Sequence, residues 1–385
     1  MLCYIICGDF MNIGIICEYN PFHFGHIYHI NKIKEMYPDS NIILVLSGPI
    51  CQRGDLSTIN KFDKADIALE FGIDLVVELS FKFIQSADIF AKGSIEILNK
   101  LKCEKIVFGS ESNDIELLTT LAKTQINNKE FDKLVKEYTS NGLNYPTALS
   151  KSLKKLVGKT VDTPNDILGI TYIKEIIKNN YNIKPITIKR TTDYNSKEIE
   201  GKISSATSIR ELIKERKDYK KYVPKYTHKY LDNPIFLDDY FDYIKYQIII
   251  NNDLTVFQDI DEDLSNRIKK YIDSSNNLDE LINNIKAKRY TYNKIKRILT
   301  HILFNIKKED INNKLEYIRI LGFNKKGKNI LNKVKKEIDI PILTNYDNKY
   351  LSKDLEITKI LSLNHNIKNK TEYIEKEYKQ KPIMR

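Results

Sequence analysis

The sequence lacks the features of several protein classes. It has no run of about 18 apolar residues, so no membrane-spanning helix is expected. Its apolar first ten residues have neither a basic start nor a small-residue cleavage site, which argues against a secretory signal. The five cysteines are scattered over the first third of the chain without a CxxC pair, so no zinc or other metal cluster is expected. Such a set predicts reduced thiols and a cytoplasmic protein.

The chain has two candidate start residues. Met11 directly precedes a strand-like apolar run, whereas Met1 does not. We therefore expect translation to begin at Met11 and residues 1–10 to be an extension.

The positive charge is unevenly distributed. The 385 residues carry a net charge of +11, but an Ile-, Asn- and Lys-rich composition also arises from an AT-rich genome. Residues 281–336 hold 16 Lys or Arg against 3 acids, a net +13 in one segment. A field of one sign attracts phosphates, which favours an RNA partner. The alternative is a solvated helix face.

Strand and helix patterns alternate in the first 110 residues. Short apolar runs separated by amphipathic stretches are typical of buried parallel strands joined by helices. With right-handed crossovers they predict an α/β fold, a doubly wound parallel sheet of the Rossmann type. The predicted strands are 12–17, 41–46, 75–79 and 105–108.

The length and the patterns predict two domains. Another apolar run, 186–189, ends a mostly helical middle stretch, and the first predicted domain, which holds the candidate catalytic motifs described below, spans residues 11–225. Long amphipathic patterns such as 290–306 and 311–321 then predict a helical, basic C-terminal domain at 226–385. The polar tail after Ile367 is expected to be loosely ordered.

The residues after the first strand predict a phosphate site, because parallel sheets bind ligands beyond the carboxyl ends of their strands. His23, Gly25 and His26 stand there at a predicted helix start, where backbone N–H groups favour phosphate oxygens. Gly25 permits close approach of a nucleotide, and the two imidazoles can donate hydrogen bonds to charge that builds on phosphorus. Pro21 stiffens the turn and Asn20 can brace it. The segment EYNPFHFGH thus predicts an ATP-using, adenylate-forming enzyme; the alternative is a group of surface histidines.

A second motif, KISSATSIR, supports the first. Ser204, Ser205 and Thr207 can cap a helix and meet a phosphate, and Arg210 one turn later can clamp phosphate oxygens. The alternative is an ordinary helix cap. Class I aminoacyl-tRNA synthetases combine HxGH with KMSKS, which is absent here. The ISSAT turn in its place favours a nucleotidyltransferase.

Further blocks extend the pattern over nearly the whole chain from Met11. They include SGPICQRGD at 47–55, NDILGITYI at 165–173 and KRYTYNKIKRILTHIL at 288–303. Together with EYNPFHFGH and ISSATSIR, these blocks resemble those of the tRNA(Met) cytidine acetate ligases. Cys17, Phe24 and Ser80 depart from residues common in that family, and none of these departures removes a reacting group.

The resemblance implies an activity and a set of contacts. Such enzymes use ATP to turn acetate into acetyl-adenylate, then acetylate the wobble cytidine of elongator tRNA(Met) to N4-acetylcytidine. Lys61 matches a lysine beside the phosphates, which makes His23, His26 and Lys61 the predicted catalytic residues. Mg²⁺ is expected with ATP, held by phosphate oxygens and water. The implied ATP contacts are Ile16, Cys17, Glu18, Tyr19, Asn20, Pro21, Phe22, His23, Phe24, Gly25, His26, Ile27, Tyr28, His29, Gly109, Asn165 and Arg190.

The basic segment supplies the predicted tRNA contacts. Its cations interleave with aromatic residues, which can stack on unpaired bases or can belong to the helix core. Two other functions remain open: a small-molecule adenylyltransferase, or a non-catalytic RNA-binding protein. The predicted tRNA contacts are Lys288, Arg289, Lys294, Lys296 and Arg297.

Overall fold

The computed structural model describes residues 10–190 and 203–385, so most of the predicted N-terminal extension lies outside it. One mixed sheet runs through the described residues, and its strands are short and mostly buried. In chain order they are β1 Asn12–Cys17, β2 Asn41–Ser47, β3 Leu75–Leu79, β4 Lys105–Ser110, β5 Lys184–Lys189, β6 Ile318–Phe323, β7 Ile342–Leu343 and β8 Ile383–Met384.

The strand order is β5-β4-β1-β2-β3-β6-β7, and β8 also pairs with β6. The first five strands are parallel, as predicted from their apolar runs. Strand β6 runs antiparallel to its neighbour β3, and β7 and β8 pair parallel with β6. Helices cover both faces, so the predicted α/β fold is confirmed.

Alternate residues of the strands face two cores. In β2, Ile43 and Val45 belong to one hydrophobic cluster, and Ile42 and Leu44 belong to the other. This alternation is what a sheet buried on both faces requires. The first cluster continues into the C-terminal helices. The predicted boundary at 225/226 stays a prediction.

The helices agree with the amphipathic patterns in most of the chain. They are α1 Phe24–Met36, α2 Lys61–Glu70, α3 Ala87–Lys100, α4 Ile115–Thr124, α5 Lys129–Ser140, α6 Tyr145–Val157, α7 Pro164–Lys178, α8 Ala206–Lys214, α9 Lys225–His228, α10 Phe241–Ile250, α11 Glu262–Ile272, α12 Leu278–Ile285, α13 Tyr292–Leu303, α14 Lys325–Val334, α15 Asn348–Leu361 and α16 Lys370–Lys379. Short 3₁₀ turns occupy Phe81–Phe83, Lys220–Tyr222, Leu237–Tyr240, Leu254–Val256 and Lys308–Asp310. Across the described ranges, none of the helices is long and apolar enough to cross a membrane.

Two expectations for the C-terminal part are wrong. Residues 311–321 were expected to be helical, but β6 covers most of their second half and adds to the edge of β3. The tail after Ile367 is also ordered, because it forms α16 and then β8, which pairs with β6. Both differences have one cause, because each segment pairs with an open strand edge of the sheet. A local sequence pattern does not indicate an edge that lies far away in the sequence.

A buried cluster of five charges fastens the chain's end to the sheet. The Lys61 Nζ donates to Glu78 and Glu377, at 2.9 Å each, and lies 4.0 Å from Asp354. Arg319 of β6 donates to Glu377 at 2.5 Å and lies 3.4 Å from Glu78, its partner across the β3–β6 ladder. All five residues are at most 4% exposed. The cluster thereby joins α2, β3, β6, α15 and α16.

Candidate active site

The two histidines of the EYNPFHFGH loop form a hydrogen-bonded pair at the start of α1. The His23 Nδ1 accepts from the Gly25 N–H at 3.0 Å, and the His26 Nδ1 accepts from the His23 N–H at 3.1 Å. The ring centroids are 3.9 Å apart. Because each Nδ1 is an acceptor, each neutral ring carries its proton on Nε2. Both rings therefore have an N–H available for a ligand.

These imidazoles are neutral. Burial, with the charge of Arg190 beside it, lowers the pKa of His23 to about 3. Burial also lowers the pKa of His26 well below its usual value, and that of His29 to about 4. Two neutral donors at a helix N-terminus suit an anion such as a phosphate, since the helix dipole favours negative charge there.

Aromatic packing fixes the orientation of the His26 ring. Tyr19 and Phe22 are buried, and their ring centroids lie 4.6 Å and 5.4 Å from that of His26. A Cβ on Gly25 would come within 2.7 Å of the His23 ring, so the loop requires glycine there. Burial also raises the pKa of the Cys17 thiol to about 12, which leaves it protonated and unreactive.

Residues 51–58, which we name the bridging loop, contact the EYNPFHFGH segment, residues 18–26, which we name the histidine loop. Asn20 donates to the Leu56 carbonyl at 3.0 Å and accepts from the Thr58 N–H at 2.9 Å. The Gln52 N–H donates to the Glu18 carboxylate at 2.6 Å. The predicted bracing by Asn20 is therefore seen, with partners that lie more than 30 residues away.

The ISSAT turn lies against the same loop. Ser205 caps α8 by accepting from the Ser208 N–H at 3.1 Å. From this helix Arg210 donates to the Asn20 carbonyl at 2.7 Å and reaches the Asp55 carboxylate at 3.4 Å. Ser204 and Arg210 are half-buried, and Ser205 and Thr207 are exposed. The structure thus brings the two predicted phosphate motifs together.

Two further predicted contacts, Asn165 and Arg190, meet around the Glu111 carboxylate, which the sequence did not indicate. Glu111 accepts from the side chain of Asn165 and, at 3.2 Å, from its backbone N–H. It lies 3.7 Å from the Arg190 guanidinium. A Cβ on Gly109 would come within 3.0 Å of the Arg190 side chain, so this glycine leaves room for that arginine. Asn165 and Arg190 are thus positioned beside the carboxyl end of β4.

Lys61 and Lys64 of α2 face different surroundings. Lys61 is committed to the five-charge cluster, so its predicted place beside phosphates stays a prediction. Lys64 is fully buried and donates to the carbonyls of Glu18 at 3.0 Å, Ser47 at 2.8 Å and Gly48 at 3.1 Å. Burial lowers the pKa of Lys64 to about 8. Sequence reasoning missed Lys64, although it lies only three positions after Lys61 in the same helix.

The predicted tRNA contacts differ in exposure. Lys288 and Arg289 are exposed, just before α13. Lys294 and Lys296 are half-buried, and Lys296 pairs with Asp55. Arg297 is only 8% exposed, with Asp259 at 3.6 Å. These contacts stay predictions, and exposure favours the first two.

The basic segment is divided between two edges of the sheet. Helix α13 packs on the bridging loop, where a Cβ on Gly54 would come within 2.4 Å of the Arg297 backbone. Helix α14 instead begins beside the start of β3, because the Asn324 N–H donates to the Asp74 carbonyl at 3.0 Å. Since β3 is parallel to β1 and β2, α14 lies at the amino edge, away from the histidines. The +13 segment therefore does not form one continuous surface.

Among the described residues, no group of three or more His, Cys, Asp or Glu side chains could hold a metal ion.

Comparisons with known proteins agree with this geometry. The family model HIGH Nucleotidyl Transferase matches residues 11–381. The tRNA(Met) cytidine acetate ligase of Thermosipho africanus is 42% identical, over 86% of this chain and 84% of that protein. The Caldicellulosiruptor saccharolyticus enzyme of that name is 37% identical, over 96% and 98%.

Solved structures give the same result. The crystal structure of apo Thermotoga maritima TmcAL superposes with a TM-score of 0.88 at 30% identity, covering 97% of this chain and 99% of that one. TmcAL bound with α-thio ATP gives a TM-score of 0.87 at the same identity and coverage. The chain therefore belongs to the HIGH nucleotidyl transferase family and, within it, to the tRNA(Met) cytidine acetate ligases.

Proposed function

We propose that this protein is an ATP-dependent ligase that activates acetate as acetyl-adenylate and transfers the acetyl group to the wobble cytidine of elongator tRNA(Met). The observation that carries the proposal is the pair of neutral imidazoles at the start of α1, with Arg210 of the ISSAT helix held against the same loop. Membership in the family supports the choice of acetate and tRNA. A tRNA substrate also favours a location in the cytoplasm.

In the first step an acetate oxygen attacks the α-phosphorus of ATP, and pyrophosphate leaves. Acetate is ionised near neutral pH and needs no general base, so catalysis is positioning and charge stabilisation. His23 and His26 donate from Nε2 to oxygens of the α-phosphate. Arg210, with Ser204 and Ser205, holds the departing pyrophosphate.

The remaining predicted contacts fit other parts of ATP. Arg190 and Asn165, fixed by Glu111, lie on the side of β4 and contact the ribose or the base. Mg²⁺ bound with the triphosphate would neutralise part of its charge and would be held mainly by phosphate oxygens and water.

In the second step the exocyclic amine of the cytidine attacks the acetyl carbonyl, the amine loses a proton, and AMP leaves. The exposed Lys288 and Arg289, before α13, are the strongest candidates for tRNA phosphates. Helix α13 contacts the bridging loop, which in turn contacts the histidine loop, and this supports a tRNA position near the adenylate.

The direct test incubates the protein with ATP, labelled acetate and total tRNA, followed by nucleoside analysis. Labelled N4-acetylcytidine in tRNA(Met) is the expected product. Exchange of pyrophosphate into ATP that requires a nucleotide precursor and does not require acetate would instead indicate a small-molecule adenylyltransferase. RNA binding without ATP turnover would indicate a non-catalytic protein.

Substitution of one histidine tests the site itself. His26→Ala should lower acetate-dependent ATP–pyrophosphate exchange by on the order of 10²–10³, the usual effect of losing one donor to a developing charge. His365→Ala is the matched control, since His365 is exposed and far along the chain. Normal exchange in His26→Ala would contradict the assignment.

A further inference from the structure

The bridging loop contacts the histidine loop on one side and helix α13 on the other. Toward the histidine loop, it holds Asn20 and Glu18 through the hydrogen bonds described above. Toward α13, the Gly54 carbonyl accepts from the Thr300 hydroxyl at 2.7 Å, and the Gln52 carbonyl accepts from Arg297 at 3.4 Å. One short segment therefore fixes both elements at once.

Asp55, in the middle of this loop, is shared by two cations that belong to different functions. One carboxylate oxygen accepts from Lys296 of α13, and the other lies 3.4 Å from the Arg210 guanidinium of α8. The side chain of Asp55 is 22% exposed, that of Lys296 is 14% exposed and that of Arg210 is 16% exposed. Partial burial makes the loss of both cations more costly for Asp55 than the loss of one.

We propose that Asp55 couples the two substrates, so that ATP and tRNA weaken each other's binding. This inference rests on the proposed function, in which Arg210 holds phosphates of ATP, and it adds that Lys296, one of the predicted tRNA contacts, leaves Asp55 for a tRNA phosphate once the exposed Lys288 and Arg289 have bound the tRNA. When ATP binds, Arg210 leaves Asp55 for the phosphates and Lys296 stays. When tRNA binds, Lys296 leaves Asp55 and Arg210 stays. The second ligand must then remove the last cation from a half-buried carboxylate, and it binds with a penalty.

The same competition favours release of pyrophosphate when tRNA binds. After acetyl-adenylate has formed, Arg210 holds pyrophosphate. When tRNA takes Lys296, Asp55 attracts Arg210 more strongly, and pyrophosphate is released. Asp55 thus acts as a positioning residue that links arrival of tRNA to departure of pyrophosphate.

The test measures the dissociation constant of tRNA(Met) with and without a saturating non-hydrolysable ATP analogue, and the reciprocal pair. In the wild type we expect each ligand to weaken the other by about fivefold or more, and by the same factor in both directions. Asp55→Asn should bring the factor close to one. Each ligand alone should bind this variant at least as tightly as the wild type, because the amide no longer competes for the cations.

Three results would overturn the proposal. They are a wild-type factor of one or below, an unchanged factor in Asp55→Asn, and weaker binding of both ligands to that variant, which would mean that Asp55 only supports the loop. Glu309→Gln is the matched control, because Glu309 is a 78% exposed acid in the basic segment. It removes one charge as well and should keep the wild-type factor.

A second variant keeps the proposal testable if Asp55→Asn does not fold. Lys296→Gln leaves Asp55 with Arg210 alone, so ATP should bind several-fold more weakly even without tRNA. Unchanged ATP binding there would contradict the coupling. Wild-type exchange and tRNA acetylation are measured first, and their absence would mean that the proposed function fails, whereas normal activity without antagonism would reject the coupling alone.

Discussion

Replacement of Lys61 by methionine should destabilise the protein far more than an ordinary loss of a charge. Lys61 is 4% exposed and is one of two cations that face three buried carboxylates. Lys61→Met keeps most of the volume but leaves Arg319 alone with Glu78, Asp354 and Glu377. Removal of one partner from a buried ion pair typically costs about 3–5 kcal/mol, and we expect the free energy of unfolding to fall by that amount.

The loss should depend on pH in a definite sense. Burial, opposed by Lys61, raises the pKa of Asp354 to about 7, above its unfolded value. A carboxyl with a raised folded pKa binds its proton more tightly in the folded state, so its contribution to stability improves as the pH falls through 7. Without Lys61 this pKa rises further. The destabilisation by Lys61→Met should therefore be smaller at pH 5.5 than at pH 8.

Denaturant unfolding at the two pH values measures both effects. Lys376→Met is the matched control: Lys376 pairs with Asp63 at 2.6 Å, but both side chains are partly exposed, at 30% and 25%. That variant should lose less than about 1 kcal/mol. An equal loss in the two variants would refute the reasoning. Exchange activity of Lys61→Met, measured where it is folded, also tests its predicted place beside the phosphates: a large loss there would support that place.

The remaining predictions concern other parts of the molecule. Asp354→Asn should be more stable than the wild type at pH 8, by up to about 4 kcal/mol, and the difference should shrink as the pH falls below 7 and vanish only near about pH 4, where the unfolded carboxyl also binds its proton; a less stable variant at pH 8 would contradict the raised pKa. The double change Lys288→Glu with Arg289→Glu should weaken tRNA binding and reduce the slope of log affinity against log salt by about 1.5–2, as measured in a salt titration; exchange without tRNA reports folding. Gly25→Ala should lower exchange by about 10–100-fold, since its Cβ displaces the His23 ring, while the unfolding midpoint changes little.

The sequence alone determined the features that depend on neighbouring residues. Each of β1 to β5 follows from its own short apolar run, and the order of these runs predicts the parallel sheet. The histidine pair and its helix start lie within four residues, so that local pattern could be read directly. The resemblance added the identity of the family, which the comparisons confirm.

The tertiary structure decided what depends on distant partners. Glu377 meets Lys61 across 316 positions, and the predicted loose tail is ordered because that buried pair and the edge of β6 hold it. Asp55 likewise owes its place to Arg210 and Lys296, neither of them near it in sequence. Hydrophobic periodicity reports only which face of a segment is buried. The choice of partner is made when the whole chain packs, because a buried charge is stable only where an opposite charge reaches it.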